Sequence, residues 1–312
     1  MIAILMATYN GEDYIREQLN SILSQSYKDF VLYVHDDGST DRTAEILNEY
    51  KDRYPNRINV LDGSSTGSAK DNFLYMMGMV DSDYYMFSDQ DDVWLPDKIK
   101  VSVERMTELE NRFDYKPLLV FSDLKVVNAK KKVLDNSFMH YSNLDPYDLQ
   151  FNKLIVQNVA PGCSMLFNRY ARDMAMRYSS LPTTDNICMH DWWLMLVVSA
   201  LGMVSFIDEP LVLYRQHGNN TEGARKEYGM KKILQLVWWT ISLTHIGITK
   251  RRILKFVKQG QELRVLKLTG DNKKIVKGLL LFYDMSKIER IRFMRRFKIY
   301  RNKRNLWQMM CL

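Results

Sequence analysis

A chain of 312 residues that is 46% hydrophobic and 12% aromatic has enough apolar material for one large domain or two smaller ones. Its three cysteines, Cys163, Cys188 and Cys311, are far apart and form no CxxC, which excludes a disulfide framework and fits free thiols in a reducing compartment. The net charge of +7 hides an asymmetry: residues 1–224 hold 21 Lys+Arg against 32 Asp+Glu, and residues 225–312 hold 23 against 5. An acidic body with a basic tail points to an anionic surface or to nucleic acid as the tail's partner.

The first hundred residues alternate strand with helix. Residues 2–7 form a continuous apolar run, as expected of a strand buried on both faces. The start MIAILMATYN carries no charged n-region and no small-residue cleavage site, so no signal peptide is expected. A polar turn, Thr8-Tyr9-Asn10-Gly11, leads to a helix marked by Tyr14, Ile15, Leu19, Ile22 and Leu23. Strand 30–34 ends in His35-Asp36-Asp37-Gly38-Ser39, and a helix is expected from Ser39 or Thr40, both good N-caps. Strand 58–61, helix 69–80 and strand 84–87 follow. This order predicts an α/β fold, a Rossmann-like, mostly parallel sheet flanked by helices. In such sheets ligands sit beyond the carboxyl ends of the strands, so the polar clusters at 8–11, 35–39 and 87–92 should share one edge.

Pro96 marks the start of a charged helix reaching Glu110, and 118–127 reads as a strand. Gly162 interrupts a region that resumes as Ser164-Met165-Leu166-Phe167; residues 189–201 read as a buried helix and 211–214 as a strand. From Gly223 the pattern is helical and basic. The expected domains are therefore 1–222 and a C-terminal region 223–312. The most apolar part of that region, 233–243, is too short and too polar to span a bilayer.

The stretch FSDQDDVW, residues 87–94, puts Asp89, Asp91 and Asp92 within four positions at a strand end. Like charges so crowded raise one another's pKa and call for a cation. Acids at a helix N-terminus are the plain alternative, but that does not explain three at the end of a strand. A hard divalent ion, Mn2+ or Mg2+, takes one or two carboxylates and leaves positions for phosphate oxygens. Asp36-Asp37-Gly38-Ser39-Thr40-Asp41 is either a tight capping turn or a place where one carboxylate accepts from a base or ribose. Asp191 lies far along the chain from the metal turn, among Met189, Trp192, Trp193 and Leu194. A carboxylate in that position suits a base that removes a hydroxyl proton, with a helix-start acid as the alternative.

The ordered set Ala7-Thr8-Tyr9-Asn10, Asp36-Asp37-Gly38-Ser39-x-Asp41 and Asp89-x-Asp91-Asp92 resembles glycosyltransferase family 2, inverting enzymes of the GT-A fold. Ser88 to Trp94, His190-Asp191-Trp192-Trp193 and Tyr214 to Asn220 look like its bacterial rhamnosyltransferase branch, which builds cell-wall or capsular polysaccharide. The resemblance covers residues 1 to about 220. It implies nucleotide contacts from Thr8, Tyr9, Asn10, Asp36, Asp37, Lys70 and Asp89. Asp89, Asp91 and His217 would hold the metal, and Asp191 would be the catalytic base. Asp92, Gly162, Trp192, Trp193 and Arg215 would face sugar or acceptor. For His217 and the two tryptophans a structural role competes, and Arg215 is also suited to a phosphate.

The implied donor is dTDP-L-rhamnose, or else a UDP-hexose, and the implied acceptor a polyprenyl-diphosphate-linked glycan. The Gln-x-x-Arg-Trp motif and membrane spans of processive polymer synthases are missing, which favours addition of one or a few sugars. In the tail, Lys287, Arg290, Arg292, Arg295, Arg296 and Lys298 alternate with Ile288, Ile291, Phe293, Met294 and Phe297. This pattern is either a solvated helix or a basic amphipathic helix lying on anionic lipid, which would place the protein on the inner face of the bacterial membrane. Nucleic acid is ranked out as a partner, since no nucleic-acid module accompanies the site. Homo-oligomerisation is left open. A catalytically idle glycosyltransferase-like scaffold and an unrelated nucleotidyltransferase are the competing functions.

Overall fold

The computed structural model describes residues 1–177, 185–218 and 254–300. The expected boundary near 223, the apolar stretch 233–243 and the last two residues of the Tyr214 to Asn220 stretch lie outside them. Strand β1 (Ile2–Thr8) is central, pairing in parallel with β2 (Phe30–Asp36) and β4 (Tyr84–Ser88), while β2 pairs with β3 (Ile58–Val60). Residues Ile2 to Met6 are 0% exposed, because helices cover both faces of this layer. The register sets Ala7 beside His35 and Met6 beside Ser88, so the turns after β1, β2 and β4 emerge at one level. The predicted edge is therefore built.

Helix α1 (Ile15–Leu23) buries Ile15, Gln18, Leu19 and Ile22, one stripe at helical spacing. Helix α2 spans Thr43–Arg53, and α3 (Ala69–Met79) is capped by Ser68, whose hydroxyl accepts from the Asp71 amide at 3.1 Å. Helix α2 starts later than Ser39 or Thr40 because those residues serve the turn instead. Ser39 donates its amide and hydroxyl to Asp36, and the Thr40 amide donates to Asn10 Oδ1.

Beyond β4 the sheet becomes mixed. It adds β5 (Val93–Trp94), β6 (Leu118–Asn128), β7 (Val133–Asp135), β8 (Met165–Asn168) and β9 (Met203–Gln216), in the order β3-β2-β1-β4-β8-β6-β9-β5, with β7 on β6. β8 runs antiparallel to both β4 and β6, and β9 runs parallel to β6. The 14-residue β9 is far longer than the 211–214 segment legible from pattern. Its pairing with β5 (Val93 to Leu213, Trp94 to Val212) carries Arg215 and His217 to the turn 89–92.

Helices α4 (Lys98–Glu110), α5 (Phe138–Tyr141), α6 (Phe151–Leu154) and α7 (Arg169–Met176) flank the sheet. Helix α8 (His190–Leu201) buries residues 193–198 continuously, so only its first turn reaches the site. The C-terminal part contributes helical residues 254–262, α9 (Gly270–Leu280) and α10 (Lys287–Arg296). It packs on the body through polar ties: the Cys188 amide donates to Gln259 Oε1 at 2.7 Å, and Asn152 Nδ2 to the Phe297 carbonyl at 2.9 Å. Among the described residues no helix is long and apolar enough to cross a membrane.

The expected lipid face of α10 needs correction. Met294 is buried, and Phe293 meets Phe282 edge-on and lies over Gly278, where a Cβ would come within 2.1 Å of its ring. These side chains face the protein. The exposed apolar residues are Leu280, Leu281, Tyr283 and Ile288, at the corner between α9 and α10.

Candidate active site

The turn after β1 is stitched to the turn after β2. Thr8 donates its hydroxyl to Asp36 Oδ1 at 2.8 Å, the Asn10 amide donates to Ser39 Oγ, and the Gly11 amide to Thr43 Oγ1. Asn10 holds φ at +47°, a left-handed conformation that asparagine tolerates. Asp36 is thereby committed to shaping the turn. Asp37 Oδ1 accepts from the Thr66 amide and hydroxyl and so secures the loop 63–68. Tyr9 stands 57% exposed at this edge, as a ring offered to a ligand would. Lys70, in the first turn of α3, lies 3.4 Å from Asp71, and its charge reaches Cys188, three residues before Asp191.

The three acids of the turn 89–92 part company. Asp91 turns to β9, where its Oδ2 lies 2.7 Å from His217 Nε2, and the His217 ring stacks on Tyr14 with centroids 4.8 Å apart. Residues 126 positions apart in the chain are thus joined. Asp92 turns inward and is 0% exposed, with Oδ1 accepting from the Arg215 amide at 3.0 Å. Beneath it lies Lys98, also fully buried, with Nζ 4.3 Å from the Trp94 ring centroid. Burial lowers the Lys98 ammonium to about 7, while Cys163 and Asp92 favour its charged form. Asp89 lies between these two directions. Its carboxyl is pushed up to about 7, first by burial and then by the charges of Asp91 and Asp191.

That repulsion is a physical test of metal fit. A divalent ion would relieve it, and the expected ligands Asp89, Asp91 and His217 would offer two carboxylates and one imidazole, donor types that Mn2+ accepts. The grouping of donor atoms found within 4.8 Å of one another among the described residues is a different one, Asp89, Asp92 and Cys163. Burial holds the Cys163 thiol well above its ordinary range, so it stays protonated. Asp92 is sealed from solvent, whereas Asp89, Asp91 and His217 are each only partly buried.

Asp191 comes from another part of the chain, on the first turn of α8. Its Oδ2 accepts from the Gly162 amide at 3.1 Å, and its charge is felt at Asp89. Gly162 is buried and closely packed here: a Cβ there would lie 2.9 Å from His190 Nε2 and 3.5 Å from Asp191 Cβ, so it is the backbone amide and not a side chain that meets Asp191. His190 itself is wedged between Phe73 and Phe87, with ring centroids 4.1 and 4.6 Å away, and burial lowers its pKa to about 3. It is a neutral wedge that fixes where α8 begins.

Four of the expected sugar or acceptor contacts are corrected. Trp193 is 0% exposed with its indole N–H donating to the Ala175 carbonyl, so it is core. Trp192 donates its indole N–H to the Leu154 carbonyl at 2.7 Å and packs against the core. Asp92 is buried, as above. Arg215 is 3% exposed and directs its fork into the protein, to the Asp91 carbonyl, the Ala129 carbonyl and Glu17. It braces the metal turn from behind rather than facing phosphate. Burial opposes ionisation of Glu17, yet Lys131 and Arg215 hold its carboxyl below the usual range.

Gln90, a spacer between acids to sequence reasoning, proves to be an anchor: its Oε1 accepts from the Tyr9 amide and its Nε2 donates to the Tyr9 carbonyl, each at 2.9 Å. Glu17, Tyr14 and Lys98 were also missed, because nothing in a single sequence says which helix faces which turn.

The family model for glycosyl transferase family 2 matches residues 3–173. The dTDP-rhamnosyl transferase RfbG of Shigella flexneri is 32% identical over 78% of this chain and 83% of its own length. An uncharacterized glycosyltransferase of Rickettsia conorii is 24% identical over 76% of this chain, which spans only 37% of that longer protein. Among solved structures, S. aureus TarS in complex with UDP superposes with a TM-score of 0.56 at 15% identity, over 98% of this chain and 77% of that one. A mannosyltransferase from Pyrobaculum calidifontis, solved with GDP-Man and Mn2+, gives 0.52 at 14% identity over 95% and 72%. These neighbours share the GT-A fold. By the match of its first half and its likeness to that rhamnosyl transferase, the chain belongs to glycosyltransferase family 2 and is a glycosyltransferase.

Proposed function

We propose that this enzyme transfers L-rhamnose from dTDP-L-rhamnose, with inversion, to a hydroxyl of a lipid-linked or cell-wall glycan. The observation that supports the chemistry is that Asp191, from a distant part of the chain, comes near enough for its charge to act on Asp89. The donor assignment is supported by the 32% identity to a dTDP-rhamnosyl transferase over most of both chains.

The residues divide the work. Thr8, Tyr9 and Asn10, steadied by Asp36, line the nucleotide side, while Asp37 and Lys70 border it. Asp89, Asp91 and His217 would hold Mn2+ or Mg2+, which when bound offsets the charge of a departing diphosphate. Asp191 takes the proton from the acceptor hydroxyl as its oxygen attacks the anomeric carbon. The carbon–oxygen bond to the diphosphate breaks, and its electron pair leaves with the nucleoside diphosphate. The Gly162 amide, donating to Asp191 Oδ2, holds the base on the acceptor side.

A polyprenyl-diphosphate-linked acceptor would bring the enzyme to the inner membrane face. The exposed Leu280, Leu281, Tyr283 and Ile288, set among Lys277, Lys287 and Arg292, support contact with anionic lipid there.

The test is calorimetry with dTDP-rhamnose, dTDP-glucose, UDP-glucose, UDP-galactose and UDP-N-acetylglucosamine, with and without Mn2+. Metal-dependent binding of dTDP-rhamnose above the others is expected. Selective binding of a UDP-hexose would replace the donor, and binding indifferent to Mn2+ would remove the metal. Release of inorganic diphosphate instead of a nucleoside diphosphate would mark a nucleotidyltransferase.

A further inference from the structure

The turn Tyr9-Asn10-Gly11 and the turn Asp89–Asp92 leave different strands, and no backbone hydrogen bond between them is needed by the sheet. Gln90 supplies one in effect. Its carboxamide pairs with both backbone groups of Tyr9, accepting from the amide and donating to the carbonyl at 2.9 Å each, as a peptide unit of a neighbouring strand would. The amide lies flat against Gly11, where a Cβ would come within 2.2 Å of Oε1 and 2.5 Å of Cδ. The Gly11 φ lies outside the left-handed region, so what excludes a side chain at this position is the Gln90 amide and not the backbone. On its other side the same turn is bound to Ser39 and Thr43. The Gln90 side chain ties the Tyr9 backbone directly to the turn 89–92.

We propose that Gln90 is a positioning residue that clasps the nucleotide turn to the metal turn, with Gly11 as the space it requires, so that nucleoside diphosphate and divalent ion are bound as one unit. The proposal rests on reading residues 8–11 as the nucleotide side and 89–91 as the metal side. An asparagine would not span the gap. A glutamate would accept from the Tyr9 amide but set a carboxylate oxygen against the Tyr9 carbonyl, so only one of the two bonds survives.

The experiment is titration of dTDP and of Mn2+ into the full chain, with turnover measured alongside. Metal-dependent dTDP binding by the parent is the check on the underlying reading. In Gln90→Ala, dTDP affinity in Mn2+ should fall at least tenfold and the Mn2+ midpoint should rise, while kcat at saturation of both stays within about threefold. Gln90→Glu should fall between the two. Gly11→Ala should reproduce the loss by evicting the amide. The double variant Gly11→Ala/Gln90→Ala should be no weaker than Gln90→Ala, because the evicted group is already gone. A parent that binds with metal, together with a Gln90→Ala variant whose dTDP affinity and Mn2+ midpoint are unchanged, overturns the clasp and spares the site. Losses that multiply in the double variant also overturn it. Should Gln90→Ala fail to fold, Gln90→Glu and Gly11→Ala carry the same comparison.

Discussion

The sheet edge and the C-terminal helices handle concentrated charge in opposite ways. At the edge, each acid of the metal turn has its own surroundings: His217 for Asp91, the Arg215 amide and the neighbourhood of Lys98 for Asp92, and the shared field of Asp91 and Asp191 for Asp89. In the C-terminal helices Lys255, Lys258, Lys273, Lys277, Lys287, Arg292, Arg295 and Arg296 are all exposed to water. Chemistry at an anomeric carbon needs atoms held to fractions of an ångström, so the acids are fixed by partners from β9, α4 and α8. The proposed attraction to an anionic surface would need only charge density within a Debye length, and for that the cations need no fixed partner.

Substitution at the edge should therefore be severe and specific. Asp191→Asn keeps the shape and the Gly162 contact but cannot take a proton. Turnover should fall by about 10²–10⁴-fold while donor affinity stays near that of the parent. Single-turnover assays with calorimetry alongside check this, and a variant retaining more than a tenth of the activity removes Asp191 as the base. Asp91→Asn should act on binding instead, weakening dTDP in Mn2+ by roughly tenfold or more, since an amide oxygen is a poor substitute for a carboxylate on a hard ion. His217→Ala should do the same to a smaller degree. Equal affinities in parent and Asp91→Asn would detach Asp91 from the metal.

The third effect is on stability. Asp89 has its carboxyl raised in the folded protein from an ordinary 3.8 to about 7. The native state then holds a proton that the unfolded chain has released, so stability declines as pH climbs through that interval and levels off above it. An ion binding the ionised carboxylates counters the decline. Mn2+ should raise the melting temperature by several degrees near pH 8 and by little near pH 5. Scanning calorimetry at the two values decides it: equal shifts, or none, would mean that the crowding of Asp89 is not where the ion acts.

How far sequence alone reached follows from the same contrast. The parallel layer β3-β2-β1-β4 was legible because strands buried on both faces leave unbroken apolar runs, as in residues 2–6 and 84–87. The acid clusters, Asp191 and His217 were legible as residue types at strand and helix ends. What was hidden depends on long-range pairing. Two-residue β5 has no periodicity to detect, yet its pairing with β9 delivers His217 to Asp91. Arg215 reads as a phosphate ligand until Glu17 and two carbonyls are found to occupy its fork. Trp193 reads as a sugar platform until α7 is seen behind it, and Trp193→Ala should cost about 3–5 kcal/mol of stability rather than acting on the acceptor alone.

The smallest effect belongs to the C-terminal corner, and it separates two sources of the proposed lipid attraction. The alternating pattern of residues 287–298 suggested an amphipathic helix lying flat, but Phe293 and Met294 face inward and Phe297 packs against the core, which leaves Leu281 and Ile288 as the apolar residues most open to a membrane. Inserting two such side chains contributes modestly, and the surrounding cations contribute about 1 kcal/mol each near an anionic surface. Leu281→Glu/Ile288→Glu should lower sedimentation with phosphatidylglycerol-containing vesicles several-fold while leaving dTDP affinity unchanged. Phe293→Glu should instead destabilise the fold, since its ring is packed between Gly278 and Phe297. Were Leu281→Glu/Ile288→Glu to sediment like the parent at physiological salt, attraction would be purely electrostatic, and the corner would be surface with no part in docking.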